Sequence, residues 1–434
     1  MLEQYCPTRM ASLFSDRARL ARWWEVELAA LEAQEATGHA PPGTAAVARS
    51  RLTEIDDDLL RQVGERRKVT GHEMAAFVDV LCGRLGAAGR WIHFGLTSAD
   101  VIDTGNSILL LRASDLLEES LARLEEVLAR RARELANAVM IGRTHGMHAE
   151  PLTFGTTLAI WAARAERDRT RLSSARDRFG VGNLSGPVGN YLNVDPRVEE
   201  HACAALGLRR AVNAQFVSRD RYAEYVFACV CIGNTTEAIC TQLRLLHASE
   251  IGEVQEWFGP DRKGSSSMPH KKNPSVSMEL TGLSRVLRSY LMASLESTAV
   301  WQEGDTTALA VERVVLPDVS NLTLYLLDQV TALVKHLVVD AATMRRHLDE
   351  AGTLPFSSSL MHRLIEAGAE RDQAYRLVQT AASRARAEGL TLQDALPSEA
   401  LEMLQGDADA GVFGVERVLR HVEIAVPAIP EEGT

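Results

Sequence analysis

Aromatic residues are scarce in this chain, which has little material for a β-rich core. Phe, Trp and Tyr together make up 5% of its 434 residues, whereas Ala, Leu, Arg and Glu are abundant. Those four are strong or moderate helix formers, so the composition favours helix nearly everywhere. The sequence therefore predicts an all-α protein. Its length exceeds the usual limit of a single core and predicts two or three domains, or one core shared among subunits.

Positive net charge is absent as well. The formal net charge is -11, from 47 Lys and Arg against 58 Asp and Glu. A nucleic-acid-binding surface or an anionic membrane partner needs a cationic face, so this balance argues against both. A local basic pocket for a small anion stays compatible with it.

The six cysteines show no paired metal-ligand spacing. We interpret them as small buried side chains in a reducing cytoplasm. The N-terminus has no charged segment followed by an apolar core, and no uncharged apolar run reaches membrane-spanning length. The expected protein is soluble and cytoplasmic.

Helical periodicity organises most of the chain. Ser15 and Asp16 can begin a helix that runs to about Thr37, with Gly38 as its stop. Longer patterns cover about 105–140, 152–178, 219–257, 274–295 and 314–339, and shorter ones follow from Ala341 to Glu350, Ser357 to Ala367, Arg371 to Glu388 and Ser398 to Gln405. The pattern at 219–257 is apolar almost all round, which requires burial inside a bundle or between subunits. We predict an N-terminal helical domain at 1–104, a central long-helix bundle at 105–345 and a small helical domain at 346–434.

A serine-rich stretch, GSSSMPHKKNP at residues 264–274, concentrates reactive groups in one loop. It combines hydroxyls, a histidine, two lysines and the helix-opening pair Asn273 and Pro274. One interpretation is an anion-binding lid that contains a base. The alternative is a solvated linker with a basic tail. Long helical patterns on both sides favour the lid.

Three other interruptions of the helical pattern carry polar groups. Thr97 and Ser98 precede a long helix, where they can be either its cap or a carboxylate-binding pair. His72 lies where a loop enters a helix, and a structural and a functional role stay equally open.

The loop at 142–151 lies between two helical patterns and contains His145, His148 and Glu150. These could form a metal site, but no fixed fourth ligand accompanies them. A proton-transfer loop is the better interpretation, and we predict neither a metal nor a cofactor. The glycine-rich region at 181–189 lacks the strand and lysine of a nucleotide-triphosphate loop.

Taken together, the stretches at 93–104, 142–151 and 264–274 resemble the three separated motifs of the fumarase/aspartase superfamily. The details GRTHG at 142–146, SGPVG at 185–189 and MPHK at 268–271 are most similar to the adenylosuccinate lyases. The resemblance extends over nearly the whole chain. It implies a homotetramer with a central helical bundle, in which three subunits build each active site around a small dicarboxylate substrate. It also implies carbon–nitrogen bond cleavage by anti elimination from a succinyl group, with release of fumarate.

The resemblance also assigns roles to individual residues. Ser266 matches the base on the mobile loop, and His145 matches the acid that protonates the departing nitrogen. Thr97, Ser98, Lys271 and Asn273 match the positions that hold the two carboxylates. The other implied substrate contacts are Tyr5, His72, Thr144, Gln215 and Arg313.

Several positions depart from the adenylosuccinate lyase pattern. Arginines of the family are replaced at Gln4, Gly71 and Gly304, and a serine is replaced at Leu309. Arg313 alone is kept of the phosphate-binding group around it. Each lost charge-assisted hydrogen bond is worth about 1.5–3 kcal/mol. We therefore expect a substrate without the nucleotide phosphate, an N-substituted aspartate of the hydrazinosuccinate or nitrosuccinate type.

A further departure concerns the acid. The family's glutamate beside the catalytic histidine falls at Met278, and Glu279 follows one residue later. One step on a helix turns a side chain by about 100°, so this partner is in doubt. The alternatives are a true adenylosuccinate lyase of purine synthesis, a cycloisomerase of the same superfamily, and a non-catalytic protein on the same fold.

Overall fold

The structure is a computed structural model that describes residues 1–404 and 412–426. Gln405, the predicted end of the last helix, and the parts of the predicted C-terminal domain at 405–411 and 427–434 lie outside the described residues. The chain divides into two compact units, here called unit 1 (1–123, 165–238 and 279–330) and unit 2 (124–164, 239–278 and 331–434). The three-domain division at 104/105 and 345/346 stays a prediction.

The N-terminal part of unit 1 is a cluster of helices: α1 (Thr8–Ala11), α2 (Asp16–Ala36), α3 (Thr44–Arg51), α4 (Asp57–Thr70) and α5 (Glu73–Leu85). The predicted first long helix is confirmed, because the Ser15 hydroxyl accepts a hydrogen bond from the Ala18 N–H and Gly38 follows with a left-handed φ of 80°. Trp23 of α2 packs edge-on against Phe77 of α5 in the core, with ring centroids 5.6 Å apart.

Long helices form most of the rest: α6 (Ser98–Glu134), α7 (Phe154–Phe179), α9 (Asp220–Leu246), α10 (Ser275–Glu296) and α11 (Thr307–Lys335), with the shorter α8 (Pro196–Ala205) between α7 and α9. Several predicted boundaries are wrong. Helix α6 ends at Glu134 rather than at about 140, and α11 runs from Thr307 to Lys335 rather than from 314 to 339. The helix predicted from about 105 begins at Ser98, because the Asp100 carboxylate accepts a hydrogen bond from the Thr97 N–H and stabilises the first helical turn. The pattern at 219–257 ends at Leu246, and a short strand follows.

Helix α9 is the core helix expected from its apolar sequence. Tyr222 and Tyr225 are almost fully buried. By length and composition alone α9 could also cross a membrane. The expectation concerned uncharged runs only, and the longest one in α9 is 225–236. However, 61% of its apolar window is buried within the protein, as in the core helix of a soluble protein.

Unit 2 contains a β-hairpin of strands β1 (Val139–Thr144) and β2 (Met147–Thr153). Its later helices are α12 (Ala341–Glu350), α13 (Ser357–Glu366), α14 (Arg371–Glu388), α15 (Ser398–Met403), α16 (Glu416–Leu419) and α17 (Val422–Ala425). Leu360, Leu364 and Leu392 are buried together in a core of their own, as the predicted small helical domain requires. The bounds predicted for α12 are confirmed.

Within the described residues there are three two-stranded sheets: β1–β2, the parallel pair β3 (Val181–Gly182) and β4 (Arg209–Arg210), and the antiparallel pair β5 (Val254–Gln255) and β6 (Val338–Val339). The fold is therefore mostly helical, as predicted, but not strictly all-α. The hairpin matters most, because the sequence predicted a loop between helices at 142–151.

Candidate active site

His145 lies at the tip of the β1–β2 hairpin in unit 2. Thr144 pairs with Met147, which leaves His145 and Gly146 as a two-residue turn. Both have left-handed backbones, with φ of 54° and 78°. Two positive φ values match the right-handed twist of a hairpin, but the conformation is costly for a residue other than glycine. The side chain of His145 is exposed, so this turn presents the imidazole to an approaching group.

A buried carboxylate braces this hairpin. Glu253 is fully buried and accepts two hydrogen bonds from Arg143, at 3.0 and 2.7 Å. The Nδ1 atom of His347 on α12 lies 2.7 Å from the same carboxylate. A bidentate arginine–carboxylate pair fixes both distance and orientation. Glu253 and His347 therefore hold the strand that leads directly to Thr144 and His145. Sequence reasoning missed both, since neither belongs to a motif.

The serine-rich loop folds back on itself. A Cβ atom on Gly264 would overlap the backbone of Lys271 and Lys272, so only glycine permits this approach. The Ser265 hydroxyl accepts from the Met268 N–H at 3.1 Å, and this bond closes the turn next to Ser266. The Ser266 and Lys271 side chains are both exposed. The loop therefore offers a hydroxyl and a cation on one short segment.

The end of this loop is anchored by Glu256, which is 2% exposed. Its carboxylate accepts from the N–H and hydroxyl of Ser277, both at 2.8 Å, and from Arg262 at 2.8 Å. The predicted cap was Asn273, but α10 begins at Ser275 and its free N–H groups donate to Glu256 instead. A buried carboxylate at a helix N-terminus interacts favourably with the helix dipole. The sequence contained no local signal for it.

In unit 1, Thr97 and Ser98 form the turn at the start of α6. The Asp100 carboxylate accepts from the Thr97 N–H at 2.8 Å, which is the backbone half of a capping box. It also accepts from the N–H groups of Ser185 and Gly186, each at 3.2 Å. Burial raises the pKa of Asp100 to about 7, although these three N–H donors oppose the shift. Asp100 thus ties two of the sequence motifs together. Thr97 precedes the first residue of α6, and its N–H is bonded to Asp100. The role of the two hydroxyls, as cap or in carboxylate binding, stays a prediction.

His72 is the N-terminal cap of α5, as expected for a residue at the point where a loop enters a helix. Its Nδ1 atom accepts a hydrogen bond from the Ala75 N–H at 3.2 Å, and the ring is exposed. Gly71 before it ends α4 with a left-handed φ of 66°. An arginine in that conformation would be strained, so the helix end itself accounts for glycine at this position.

Gln215 and Gly304 are in direct contact. The Gln215 N–H donates to Glu303 O at 3.0 Å, and a Cβ atom on Gly304 would overlap the Gln215 amide. Any side chain at 304, arginine included, would displace Gln215 from its present place. The glycine at 304, where the family has an arginine, and the position of Gln215, a predicted substrate contact, therefore depend on each other.

Glu279, the neighbour of the expected glutamate position, has another partner. Its carboxylate accepts from the Tyr325 hydroxyl at 2.6 Å, and the Tyr325 ring lies edge-on to Tyr5 with centroids 5.3 Å apart. The hydrogen bond to Glu279 and burial raise the pKa of Tyr325, with burial the larger cause. Met278 points outward and is 51% exposed. Glu279 is therefore engaged by Tyr325 rather than left free.

The predicted site residues are divided between the units. Unit 2 holds Thr144, His145, Ser266, Lys271 and Asn273, and unit 1 holds Tyr5, His72, Thr97, Ser98, Gln215 and Arg313. Within the described residues no hydrogen bond joins Ser266 to His145. Over the same part of the chain, no group of three or more His, Cys, Asp and Glu side chains is arranged to hold a metal ion. The roles of these residues stay predictions.

Comparison with known proteins supports the resemblance on which those roles rest. The profile of the family described as Lyase matches residues 8–288. The adenylosuccinate lyase of Deinococcus radiodurans is 39% identical over 427 residues, which is 98% of this chain and 98% of that protein. The chain belongs to the fumarase/aspartase superfamily of lyases.

Two solved structures share the fold of this lyase. A fumarate lyase from Mesorhizobium has a TM-score of 0.86 at 22% identity, over 98% of this chain and 99% of its own. The 3-carboxy-cis,cis-muconate lactonizing enzyme of Pseudomonas putida has a TM-score of 0.83 at 27% identity, over 98% and 96%. The first likeness concerns the fold alone. With the sequence relative, the family identifies the chain as a carbon–nitrogen lyase.

Proposed function

We propose that this lyase cleaves adenylosuccinate, or a substrate closely similar to it, and releases fumarate. The observation that carries the proposal is the 39% identity to an adenylosuccinate lyase over 98% of both chains. It favours this substrate over the hydrazinosuccinate or nitrosuccinate type expected from the sequence. Both substrates are N-substituted aspartates, so the chemistry at the succinyl group is the same.

In this mechanism the alkoxide of Ser266 removes a proton from the carbon next to a carboxylate and becomes a neutral hydroxyl. The electron pair left behind forms the carbon–carbon double bond of fumarate as the carbon–nitrogen bond breaks. His145 gives a proton to the departing nitrogen, which a histidine can do near neutral pH. Lys271, on the same loop as Ser266, favours the negative charge that develops on the carboxylate.

We further propose that the lyase acts in the cytoplasm as a homotetramer with active sites shared among subunits. Large apolar side chains are exposed on two of its long helices. Phe227 and Leu245 on α9 and Met292 on α10 are 49%, 61% and 61% exposed. Association through these faces would bury them. The mass in solution, measured by light scattering, tests this: a monomer contradicts it.

A second candidate is the non-phosphorylated N-substituted aspartate, favoured by one specific feature. Gly304 cannot carry an arginine while Gln215 keeps its present position. Gln4, Gly71 and Leu309 likewise lack the groups with which adenylosuccinate lyases bind phosphate. A small substrate would need none of them.

The deciding experiment measures fumarate release by absorbance with adenylosuccinate and with hydrazinosuccinate and nitrosuccinate. Turnover of adenylosuccinate with kcat/KM of about 10⁴–10⁸ M⁻¹s⁻¹ supports the proposal. Turnover of a non-phosphorylated compound alone supports the second candidate. The Ser266→Ala variant should lose nearly all activity, and equal rates for variant and wild type would contradict Ser266 as the base. A cyclic product without fumarate would indicate the cycloisomerase alternative, and no product at all the non-catalytic one.

A further inference from the structure

A buried asparagine in unit 1 joins two parts of the candidate site. Asn183 directly follows β3 and is completely buried. Its Nδ2 atom donates to the Asp100 carboxylate at 3.1 Å and to the Gln215 carbonyl at 3.2 Å. Its Oδ1 atom accepts from the Ser185 hydroxyl at 2.9 Å, and its backbone N–H donates to the Thr104 hydroxyl at 3.0 Å. The side-chain amide therefore uses both of its donors and its acceptor oxygen.

The contact with Gln215 fixes the backbone of that residue from one side. The Gln215 N–H donates to Glu303 O at 3.0 Å, and its carbonyl accepts from Asn183. Two residues later, the Val217 N–H donates to the buried Asp103 carboxylate at 2.7 Å. Because this second anchor is independent of Asn183, loss of the asparagine would shift Gln215 rather than release the whole segment.

The contact with Asp100 ties the same amide to the turn at the start of α6. The buried Asp100 carboxylate accepts from the Thr97 N–H at 2.8 Å, and Ser98 follows in the chain. An N–H···O hydrogen bond holds its two heavy atoms within about 2.7–3.2 Å. One planar amide that bonds to both sides therefore leaves the separation between this turn and Gln215 little room to vary.

The chemistry of this position requires a carboxamide, which offers two donors and an acceptor on one neutral group. The Gln215 carbonyl can only accept, so the NH2 group must face it. An ionised aspartate at 183 would have no donor for that carbonyl and would place a second carboxylate beside Asp100, where buried like charges repel. An apolar side chain would leave the Gln215 carbonyl without this donor, which costs free energy in a buried place.

We propose that Asn183 is a positioning residue of the lyase reaction, which sets the separation between Gln215 and the turn that carries Thr97 and Ser98. The inference rests on the proposed function, since these three residues are its predicted substrate contacts. Because Asn183 is completely buried, it acts through these residues rather than by contact with the substrate. No motif assigns it a role, because its two acceptors lie 83 and 32 positions away.

The test measures ligand binding in Asn183→Ala, with Asn321→Ala as the matched control. Asn321 on α11 is also buried, but its amide donates to Pro317 O of the same helix at 2.8 Å. The Kd of fumarate is measured by calorimetry, since cleavage of any N-substituted aspartate releases it. KM and kcat are measured with whichever of adenylosuccinate, hydrazinosuccinate and nitrosuccinate the wild type cleaves.

We expect fumarate Kd and KM to rise about tenfold in Asn183→Ala, with kcat changed much less. The reason is that Thr97, Ser98 and Gln215 would hold the substrate, whereas the proton transfers are proposed for other residues. A loss of uniform binding raises KM without lowering kcat. Asn321→Ala should behave as wild type.

Two further variants keep the test decisive. Ser185→Ala removes the hydroxyl that fixes the Asn183 oxygen and should raise Kd and KM about threefold. It replaces Asn183→Ala if that variant does not fold. In a Gln215→Ala background, Asn183→Ala should raise KM by a smaller factor than in the wild type, because the side chain that it positions is already gone.

Each outcome bears on the inference separately from the lyase function. An unchanged fumarate Kd in Asn183→Ala, or in Ser185→Ala where Asn183→Ala does not fold, overturns the inference even if adenylosuccinate is cleaved. So does a wild type that binds no fumarate, or an equal loss in Asn321→Ala, which would show only a general effect on stability. Equal KM factors with and without the Gln215 side chain also overturn it. Fumarate binding that depends on Asn183 supports the inference even if adenylosuccinate is not cleaved, in which case the proposed substrate is wrong.

Discussion

Removing the Glu256 carboxylate should release the serine-rich loop from the body of unit 2. In the Glu256→Ala variant, the Ser277 N–H and hydroxyl and the Arg262 guanidinium lose an acceptor at 2.8 Å. Breaking one side of a buried ion pair costs about 3–5 kcal/mol, since the remaining charge stays buried and unpaired. Arg262 is only partly buried, so we expect a loss of about 3 kcal/mol in the free energy of unfolding, toward the lower end of that range.

The same change should reduce catalysis beyond its effect on stability. The loop that carries Ser266 ends at the helix that Glu256 caps, so its position relative to the substrate would be lost. A misplacement of about 1 Å can lower kcat about 100-fold. Urea unfolding measures the first effect, and fumarate release at a temperature where the variant is folded measures the second.

A matched control separates loop anchoring from charge on the loop. Asp261 is an exposed carboxylate of the same segment, and Asp261→Ala should change stability by no more than about 0.5 kcal/mol. The stability of Glu256→Gln should lie between those of Glu256→Ala and wild type, because glutamine keeps an acceptor for Ser277 but loses the charge opposite Arg262. If Glu256→Ala unfolds within 1 kcal/mol of wild type and keeps full kcat, the anchoring argument is refuted.

Three further predictions concern other parts of the site. Gly304→Ala should displace the Gln215 side chain, because the added Cβ would overlap its amide, and should raise KM in steady-state assays. For the proposed homotetramer, the inactive His145→Gln and Ser266→Ala variants, dissociated and reassembled together, should regain activity if different subunits supply these residues to one site. Burial raises the pKa of Asp100 to about 7 in the fold, against about 3.9 when unfolded. Its contribution to stability should therefore fall as pH rises from about 4 to 7, because the folded state keeps the proton longer.

These three have separate controls. Gly64→Ala, at a helical position with nothing within 4 Å of the added Cβ, should leave KM unchanged. An activity in mixed tetramers no higher than in either variant alone would contradict site sharing. For Asp100, the stability of wild type minus that of Asp100→Asn is followed by denaturant titration at each pH, and a difference that does not fall over this interval is the contrary result.

Local patterns were sufficient to predict most helices. The start of α2 depends on Ser15 and its stop on Gly38, both within a few residues of the helix end. The predictions failed where distant groups decide a boundary. Asp100 reaches Ser185 across 85 positions and helps begin α6 at Ser98. Glu256 caps α10 from 21 positions away, in place of Asn273.

In the candidate site too, residues in local motifs were recognisable from the sequence, whereas contacts between distant residues were not. Ser266 and His145 stand in recognisable motifs, so the sequence proposes a role for each of them, and both roles stay predictions. The Arg143–Glu253 pair, which spans 110 positions, could not be predicted from the sequence. Neither could the contacts of Asn183 with Asp100 and Gln215, from which 83 and 32 positions separate it.

By itself, the sequence determined the mostly helical fold and, through its motifs, the resemblance to the superfamily. The fold follows from composition and helical periodicity, and the resemblance from the stretches at 93–104, 142–151 and 264–274. Only the tertiary structure decided that His145 lies on a left-handed hairpin turn, that Gly304 must stay small beside Gln215, and that Asn183 lies between Asp100 and Gln215. These features depend on which distant side chains meet, and backbone packing sets such meetings rather than any local pattern.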